Sequence, residues 1–209
     1  MSARVGIVDY GRGNLHSIQK ALEAVGADVS MIVKAGTHDF DLLVIPGVGA
    51  FSEGMQGLKE RGLDEFTVRF AQTGRPVLGI CLGSQLLMSQ SEEFGSTEGL
   101  ALIAGDVVKI PSSSEPIPHA GWKRLQHVDF SASTRNNPFP CVADGTWTYF
   151  VHSYHCQPTD KANVSAIVRH GENHITAAIS KDNVFGFQFH PEKSGPPGLQ
   201  MLSDFLRLA

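Results

Sequence analysis

Val77-Leu78-Gly79-Ile80-Cys81-Leu82-Gly83-Ser84-Gln85-Leu86-Leu87 is an apolar run that stops at a cysteine and resumes at once, with a glycine two residues to either side of the sulfur. The pattern reads as a strand turning sharply into a helix, a nucleophile elbow with sulfur in place of oxygen. Small flanking residues let the backbone fold tightly enough to lift Cys81 out of a sheet. The helix start behind it favours a thiolate and leaves backbone N–H groups free. Upstream, the same alternation recurs. Strand Arg4–Asp9 leads through Gly-rich Tyr10–Asn14 into helix Leu15–Val25, which stops at Gly26. Strands Asp28–Val33 and Asp41–Ile45, helix Leu63–Gln72 and strand Arg75–Ile80 follow. Nearly continuous apolar strands alternating with helices predict an α/β fold whose first half is doubly wound on a mostly parallel sheet covered on both faces.

Beyond Leu100 the pattern changes to short strands between turn-rich segments: Leu102–Ile110, Trp147–Val151, Asn163–Arg169, Ile175–Ser180 and Val184–Phe189. These are expected to add antiparallel strands. Pro196 and Pro197 precede Gly198–Leu208, which reads as a closing amphipathic helix. Pro111–Pro118 and Ser131–Pro140 are polar and Pro-rich, as surface loops are. Neither shifts composition enough to mark a linker, so residues 1–209 read as a single domain.

Bulk properties exclude several classes. At 209 residues the chain buries a sizeable core without disulfides. Its 17 Lys+Arg against 21 Asp+Glu lack the basic excess that a phosphate backbone demands, so nucleic acid is not an expected partner. No apolar stretch is long enough for a membrane helix, and the N-terminus lacks the features of a signal peptide, so a cytoplasmic protein is expected. Three cysteines, Cys81, Cys141 and Cys156, show no close pairing. A free cysteine is usually a small buried hydrophobe; that reading stands for Cys141 and Cys156, whereas the Gly-x-Cys-x-Gly frame sets Cys81 apart.

A thiol nucleophile needs a base that takes its proton and later protonates the leaving amine. Of nine histidines, His190 lies in Phe187-Gln188-Phe189-His190-Pro191-Glu192, at a strand end, with a carboxylate two residues on. Glu192 in that position can accept a hydrogen bond from the imidazole and fix its tautomer. Pro46-Gly47-Val48-Gly49-Ala50-Phe51 follows strand Asp41–Ile45 and so lies at the carboxyl edge of the sheet, where sites of open α/β folds gather. Its glycines allow a peptide N–H near a substrate oxygen, and Leu82 N–H is a second donor for an oxyanion. A dinucleotide fingerprint is rejected, because Gly11-Arg12-Gly13 lacks its third glycine and the second strand ends in Val33-Lys34 rather than an acidic residue. His152-Ser153-Tyr154-His155-Cys156 matches no standard zinc spacing. No cofactor or metal is expected.

Gly-Ile-Cys-Leu-Gly-Ser-Gln (79–85) with Phe-His-Pro-Glu-Lys-Ser (189–194) resembles the class I, triad-type glutamine amidotransferases. Asp9–Leu15, Pro46–Phe51, Ser91-Glu92-Glu93, Pro118-His119-Ala120-Gly121-Trp122 and Tyr149–Tyr154 narrow the likeness to the glutamine amidotransferase subunits of imidazole glycerol phosphate synthase. The resemblance implies a flavodoxin-like fold. It also implies glutamine as substrate, Cys81 as the residue that forms a γ-glutamyl thioester, His190 as proton shuttle and Glu192 as its orienter. Gly49 and Leu82 would bind the oxyanion; Gln85, Ser153 and Tyr154 would hold glutamine. Ammonia would pass to a cyclase subunit in a heterodimer, with Asn14, Trp122 and Tyr149 at the interface. Ser84, Ala120 and Lys123 depart from the family's usual residues and bear on coupling to that partner. The rivals are a glutaminase serving another synthase, a free-standing cysteine hydrolase, and a binding module without catalysis.

Overall fold

Branched apolar side chains pack well on a pleat buried on both faces, and the runs rich in them form the centre of the molecule. A computed structural model describes residues 2–36, 39–127 and 145–209. In it β1 (Arg4–Val8), β2 (Asp28–Ile32), β3 (Leu42–Gly47) and β4 (Val77–Cys81) lie side by side and parallel. Every residue of β3 and β4 is buried. The expected two-sided cover fails for β2, which lies at the sheet edge, where its polar Asp28 and Ser30 meet solvent and Ile32 alone is fully buried.

Helices α1 (Leu15–Ala24), α2 (Phe51–Glu60), α3 (Leu63–Gln72), α4 (Leu82–Leu86) and α5 (Gly195–Leu206) cover the sheet. On α1 the buried residues are Ile18, Ala21 and Leu22, one face at helical spacing. Burying its two large members stabilises by about 1.5–3 kcal/mol each. They join Met201, Leu202 and Phe205 of α5 in one core, while α2 and α3 pack into the second through Phe51, Met55, Leu58, Leu63, Phe66 and Phe70. The sheet is thus wound on both faces. Helix α2 has no counterpart in the sequence reading. Its Gly54 and Gly57 weaken the helical pattern, and both are there for packing: a Cβ on Gly57 would come within 2.4 Å of the Tyr10 carbonyl oxygen. Helix α5 begins at Gly195, so Pro196 and Pro197 lie inside its first turn rather than ahead of it; N–H groups there have no helical partner, and proline loses nothing by lacking one.

The second half supplies β5 (Met88–Ser91), β6 (Thr97–Glu98), β7 (Ile103–Lys109), β8 (His119–His127), β9 (Trp147–His152), β10 (Tyr154–Pro158), β11 (Val164–His170), β12 (Asn173–Lys181) and β13 (Val184–Phe187). Strand β13 adds to β4 in parallel, and β12, β11, β8 and β9 continue antiparallel, giving the order β2-β1-β3-β4-β13-β12-β11-β8-β9. A smaller sheet, β10-β7-β5-β6, stands beside it. Ser131–Pro140 and Cys141 lie outside the described residues.

Registers Gly47↔Cys81 and Phe187↔Ile80 bring the carboxyl ends of β3, β4 and β13 to one edge. The elbow there is sterically exacting: a Cβ on Gly83 would lie 1.7 Å from the Ile45 carbonyl oxygen, and one on Gly79 would lie 2.5 Å from the Gly83 carbonyl oxygen. Gly83→Ala is therefore expected to lower stability by about 3 kcal/mol or more, because backbone rather than a movable side chain stands in the way. Gly26→Ala, where nothing lies within 4 Å, meets only the strain of a φ of +97°. Thermal unfolding of the two variants checks the contrast; equal losses would contradict it.

Candidate active site

Cys81 sits at φ 54°, ψ −111°, a backbone conformation that side chains other than glycine rarely adopt. The turn out of β4 forces it, and Ser84 Oγ fastens it by donating to the Cys81 carbonyl at 2.8 Å. Ser84, one of the departures from the family pattern, is therefore part of the elbow. Helix α4 is only five residues long. It offers the free N–H groups of a first turn, but the macrodipole expected behind the thiol is small.

His190 continues the edge beyond β13. Its Nδ1 pairs with Glu192 Oε1 at 2.8 Å, and both side chains are buried. The backbone around them is pinned: His190 N–H donates to the Tyr149 carbonyl (2.9 Å), Ser194 Oγ donates to the His190 carbonyl (2.6 Å), and the same hydroxyl accepts from Tyr149 N–H (3.0 Å). Burial alone would make the imidazole harder to protonate, but the Cys81 sulfur and the Glu192 carboxylate outweigh it and push its pKa up to about 9. The Cys81 sulfur, the imidazole and the carboxylate are thus brought together, and the two partners hold a proton on the imidazole.

In front of the sulfur lies a pocket of ≈ 330 Å³. Gly49, Leu82, Gln85, Ser153 and Tyr154 all line it with Cys81, so every residue expected to bind oxyanion or glutamine faces one space. Gly49 has φ +109°, a conformation open to glycine and strained for other residues.

A family model, glutamine amidotransferase class-I, matches residues 6–209. The chain belongs to this family. Among its curated relatives, the imidazole glycerol phosphate synthase subunit HisH of Synechococcus sp. (strain CC9605) is 43% identical over 208 residues, covering 99% of this chain and 95% of that protein. The HisH subunit of Thermosynechococcus vestitus is 46% identical over 98% of this chain and 96% of its own. A chain in the solved structure of PurLQS from Thermotoga maritima superposes with a TM-score of 0.73 at 22% identity, with 99% of each chain covered. A second crystal structure, of a glutamine amidotransferase, gives 0.72 at 18% identity, over 98% of this chain and 97% of that one. These two structures speak to the amidotransferase fold.

Four residues at or beside the pocket of this amidotransferase, Glu93, Gln188, Pro118 and His152, went unassigned in the sequence. Glu93 is the acidic side chain among the pocket's lining residues, and its Oε2 accepts from Phe51 N–H at the head of α2 (2.6 Å). The paired acids Glu92-Glu93 were legible, but only the fold shows which one turns inward. Gln188, buried, places its side-chain nitrogen 3.8 Å from Cys81 Sγ. Pro118, read as part of a surface loop, lines the pocket. His152 also lines it; its Nδ1 donates to the Tyr154 carbonyl (2.8 Å), and its Nε2 lies 2.9 Å from His119 Nδ1. Burial lowers the pKa of these two histidines to about 3 and about 4, so both are neutral. Cys156 is buried 3.6 Å from the Ser84 carbonyl, with its thiol pKa raised by burial to about 12. Among the described residues no group of three or more His, Cys, Asp or Glu is placed to hold a metal ion.

Of the residues expected at a partner surface, Trp122 is half exposed and meets Tyr149 edge to face at a centroid distance of 6.0 Å, with Lys193 Nζ 5.8 Å from the Tyr149 ring centre. Asn14 is exposed at the N-cap of α1. Ala120 lies on β8 opposite Val151, and Lys123 pairs with Glu115.

The His190 imidazole is expected to titrate near 9 rather than near the ordinary ~6.5. A raised folded-state pKa stabilises fully below about 6.5, and that contribution is lost as pH rises through 9. Cys81→Ala removes the larger of the two raising partners, so the midpoint should fall in that variant. Imidazole NMR titration of both proteins measures this; an unchanged midpoint in Cys81→Ala would show that the sulfur does not face His190.

Proposed function

We propose that this chain is the glutaminase subunit of an imidazole glycerol phosphate synthase, hydrolysing glutamine to glutamate and ammonia for a cyclase subunit bound to it in a cytoplasmic heterodimer. The observation that carries the reading is one pocket holding the Cys81 sulfur, the Gly49 and Leu82 backbone, and the polar groups of Gln85, Glu93, Ser153 and Tyr154. The HisH names of relatives similar over nearly the whole chain support the choice of synthase. Residues 1–209 act as one amidotransferase domain, to which strands from Arg4 to Phe187 contribute a single nine-stranded sheet.

Cys81 thiolate attacks the side-chain amide carbon of glutamine, and the oxygen gains negative charge beside Gly49 and Leu82. The C–N bond then breaks, and His190 hands its proton to the departing nitrogen, leaving a γ-glutamyl thioester and ammonia. Water, deprotonated by His190, attacks the thioester and releases glutamate and the thiolate. Glu192 keeps Nδ1 occupied throughout, so Nε2 is the atom that exchanges the proton. Glu93 supplies the negative charge that a substrate α-ammonium requires. No step calls on a cofactor or metal. The ammonia passes to the cyclase, where imidazole glycerol phosphate and aminoimidazole carboxamide ribotide form in histidine biosynthesis. Trp122 and Tyr149 offer the partner an aromatic face one hydrogen bond from the His190 backbone, and Asn14 extends it.

Cys81→Ala is expected to abolish glutamine-driven synthesis by the complex while ammonium salts still support it, since the cyclase holds its own chemistry. His190→Ala should be nearly as severe. Glu192→Ala should be milder, because water can partly replace an orienting group. Equal loss of glutamine-driven and ammonia-driven synthesis in Cys81→Ala would contradict the division of labour.

The isolated chain should hydrolyse glutamine slowly. Val48, exposed at the pocket mouth, precedes a glycine free to turn its peptide either way, and absence of one oxyanion donor costs about a hundred- to a thousandfold in rate. Partner contact that fixes the productive orientation would restore it. Turnover measured alone and with cyclase plus its substrate tests this; equal rates would favour a free-standing hydrolase.

A further inference from the structure

We infer that Gln188 is a further catalytic residue: its side-chain N–H holds the Cys81 sulfur, and Gln85 with the Tyr154 carbonyl dictates which way its amide faces. The inference rests on the glutaminase reading above.

Oxygen and nitrogen of a glutamine amide look alike, so a contact with one gives no direction by itself. Here the direction follows from an atom whose role is fixed. The Tyr154 carbonyl can only accept, and Gln85 Nε2 lies 2.9 Å from it. The second hydrogen of that nitrogen goes to Gln188 Oε1, also at 2.9 Å. The remaining atom of the Gln188 amide, 3.8 Å from Cys81 Sγ, is therefore its nitrogen, a donor. Gln188 is fixed at its own backbone too, where its N–H donates to the Ala177 carbonyl (2.9 Å). The Tyr154 carbonyl is held in turn by buried His152. With each member tied, the amide cannot rotate without breaking two bonds between buried side chains.

A thiolate accepts such a bond more strongly than a thiol, so the donor favours the reactive form before attack. It favours the same form again when thioester hydrolysis expels the thiolate. The arrangement also decides what Gln85 shows to substrate. Both its N–H groups are committed, so it presents its oxygen to the pocket as an acceptor for the substrate amide.

The test uses the purified chain and its complex with the cyclase. Iodoacetamide alkylation is followed at the Cys81 peptide as a function of pH, and glutaminase kcat and KM are measured in the complex. Gln188→Glu keeps the shape and the acceptor for Gln85 but turns an anionic oxygen toward the sulfur; Gln188→Met removes the donor to the sulfur together with the acceptor for Gln85, and adds no charge. The titratable groups facing Cys81, namely His190, Tyr10 and Cys156, remain in both. In Gln188→Glu the alkylation midpoint should rise by about one pH unit or more. Its kcat should fall about ten- to a hundredfold, the worth of a hydrogen bond to a charged group, while KM moves less than about threefold. Gln188→Met should show the same signs at smaller size. Should either variant fail to fold by thermal unfolding, Gln85→Glu leaves Gln188 in place. A carboxylate there would draw the Gln188 N–H to itself and turn the oxygen to the sulfur, raising the alkylation midpoint again. Midpoints unchanged in the folded variants would overturn the inference. The alkylation assay needs no glutamine, so a wild-type complex lacking glutaminase activity would sink the broader reading separately.

Discussion

The fit of the β4–α4 turn against β3 is the constraint on which the site depends. Gly83 lies against the Ile45 carbonyl and Gly79 against Gly83, at separations that leave no space for a Cβ. Because the turn is this tight, Cys81 takes a conformation outside the ordinary regions and its sulfur rises at the carboxyl edge of the sheet. Because the neighbouring strands are parallel, their own ends rise at the same edge, carrying Gly49 on one side and Gln188, His190 and Glu192 on the other. Antiparallel neighbours would have placed those residues at opposite ends of the sheet.

Polar groups at that edge are buried, and each observed bond answers a desolvation cost. His190 and Glu192 pair with each other, and breaking such a pair by deleting one partner leaves an uncompensated group whose burial costs about 3–5 kcal/mol. His119 and His152 avoid the cost differently, by staying neutral and sharing a hydrogen bond. His190, which keeps its proton, is the histidine that stands beside a sulfur and a carboxylate. Environment rather than residue type thus separates one protonated imidazole from two neutral ones within the same half of the chain.

The site and the aromatic face of Trp122 and Tyr149 share backbone. Tyr149 accepts from His190 N–H while its ring meets Trp122, and Ser194 closes the connection by bonding both Tyr149 and His190. A partner that displaced Tyr149 would act on the imidazole through two short bonds rather than through the whole fold.

The alternating strands and helices of the first half, the elbow at Cys81 and the pairing of His190 with Glu192 were legible in the sequence because each is local. A period of apolar residues, a frame of glycines and a two-residue spacing need no long-range information. Helix α2 was not legible, since Gly54 and Gly57 serve contacts with residues far along the chain. Neither was the edge position of β2, because strand order is a property of the sheet and not of the strand. The roles of Glu93, Gln188 and the paired histidines belong to the same class. Their side chains look ordinary in sequence, and only tertiary packing decides which carboxylate enters the pocket, which amide hydrogen meets the sulfur and which imidazole loses its charge through burial.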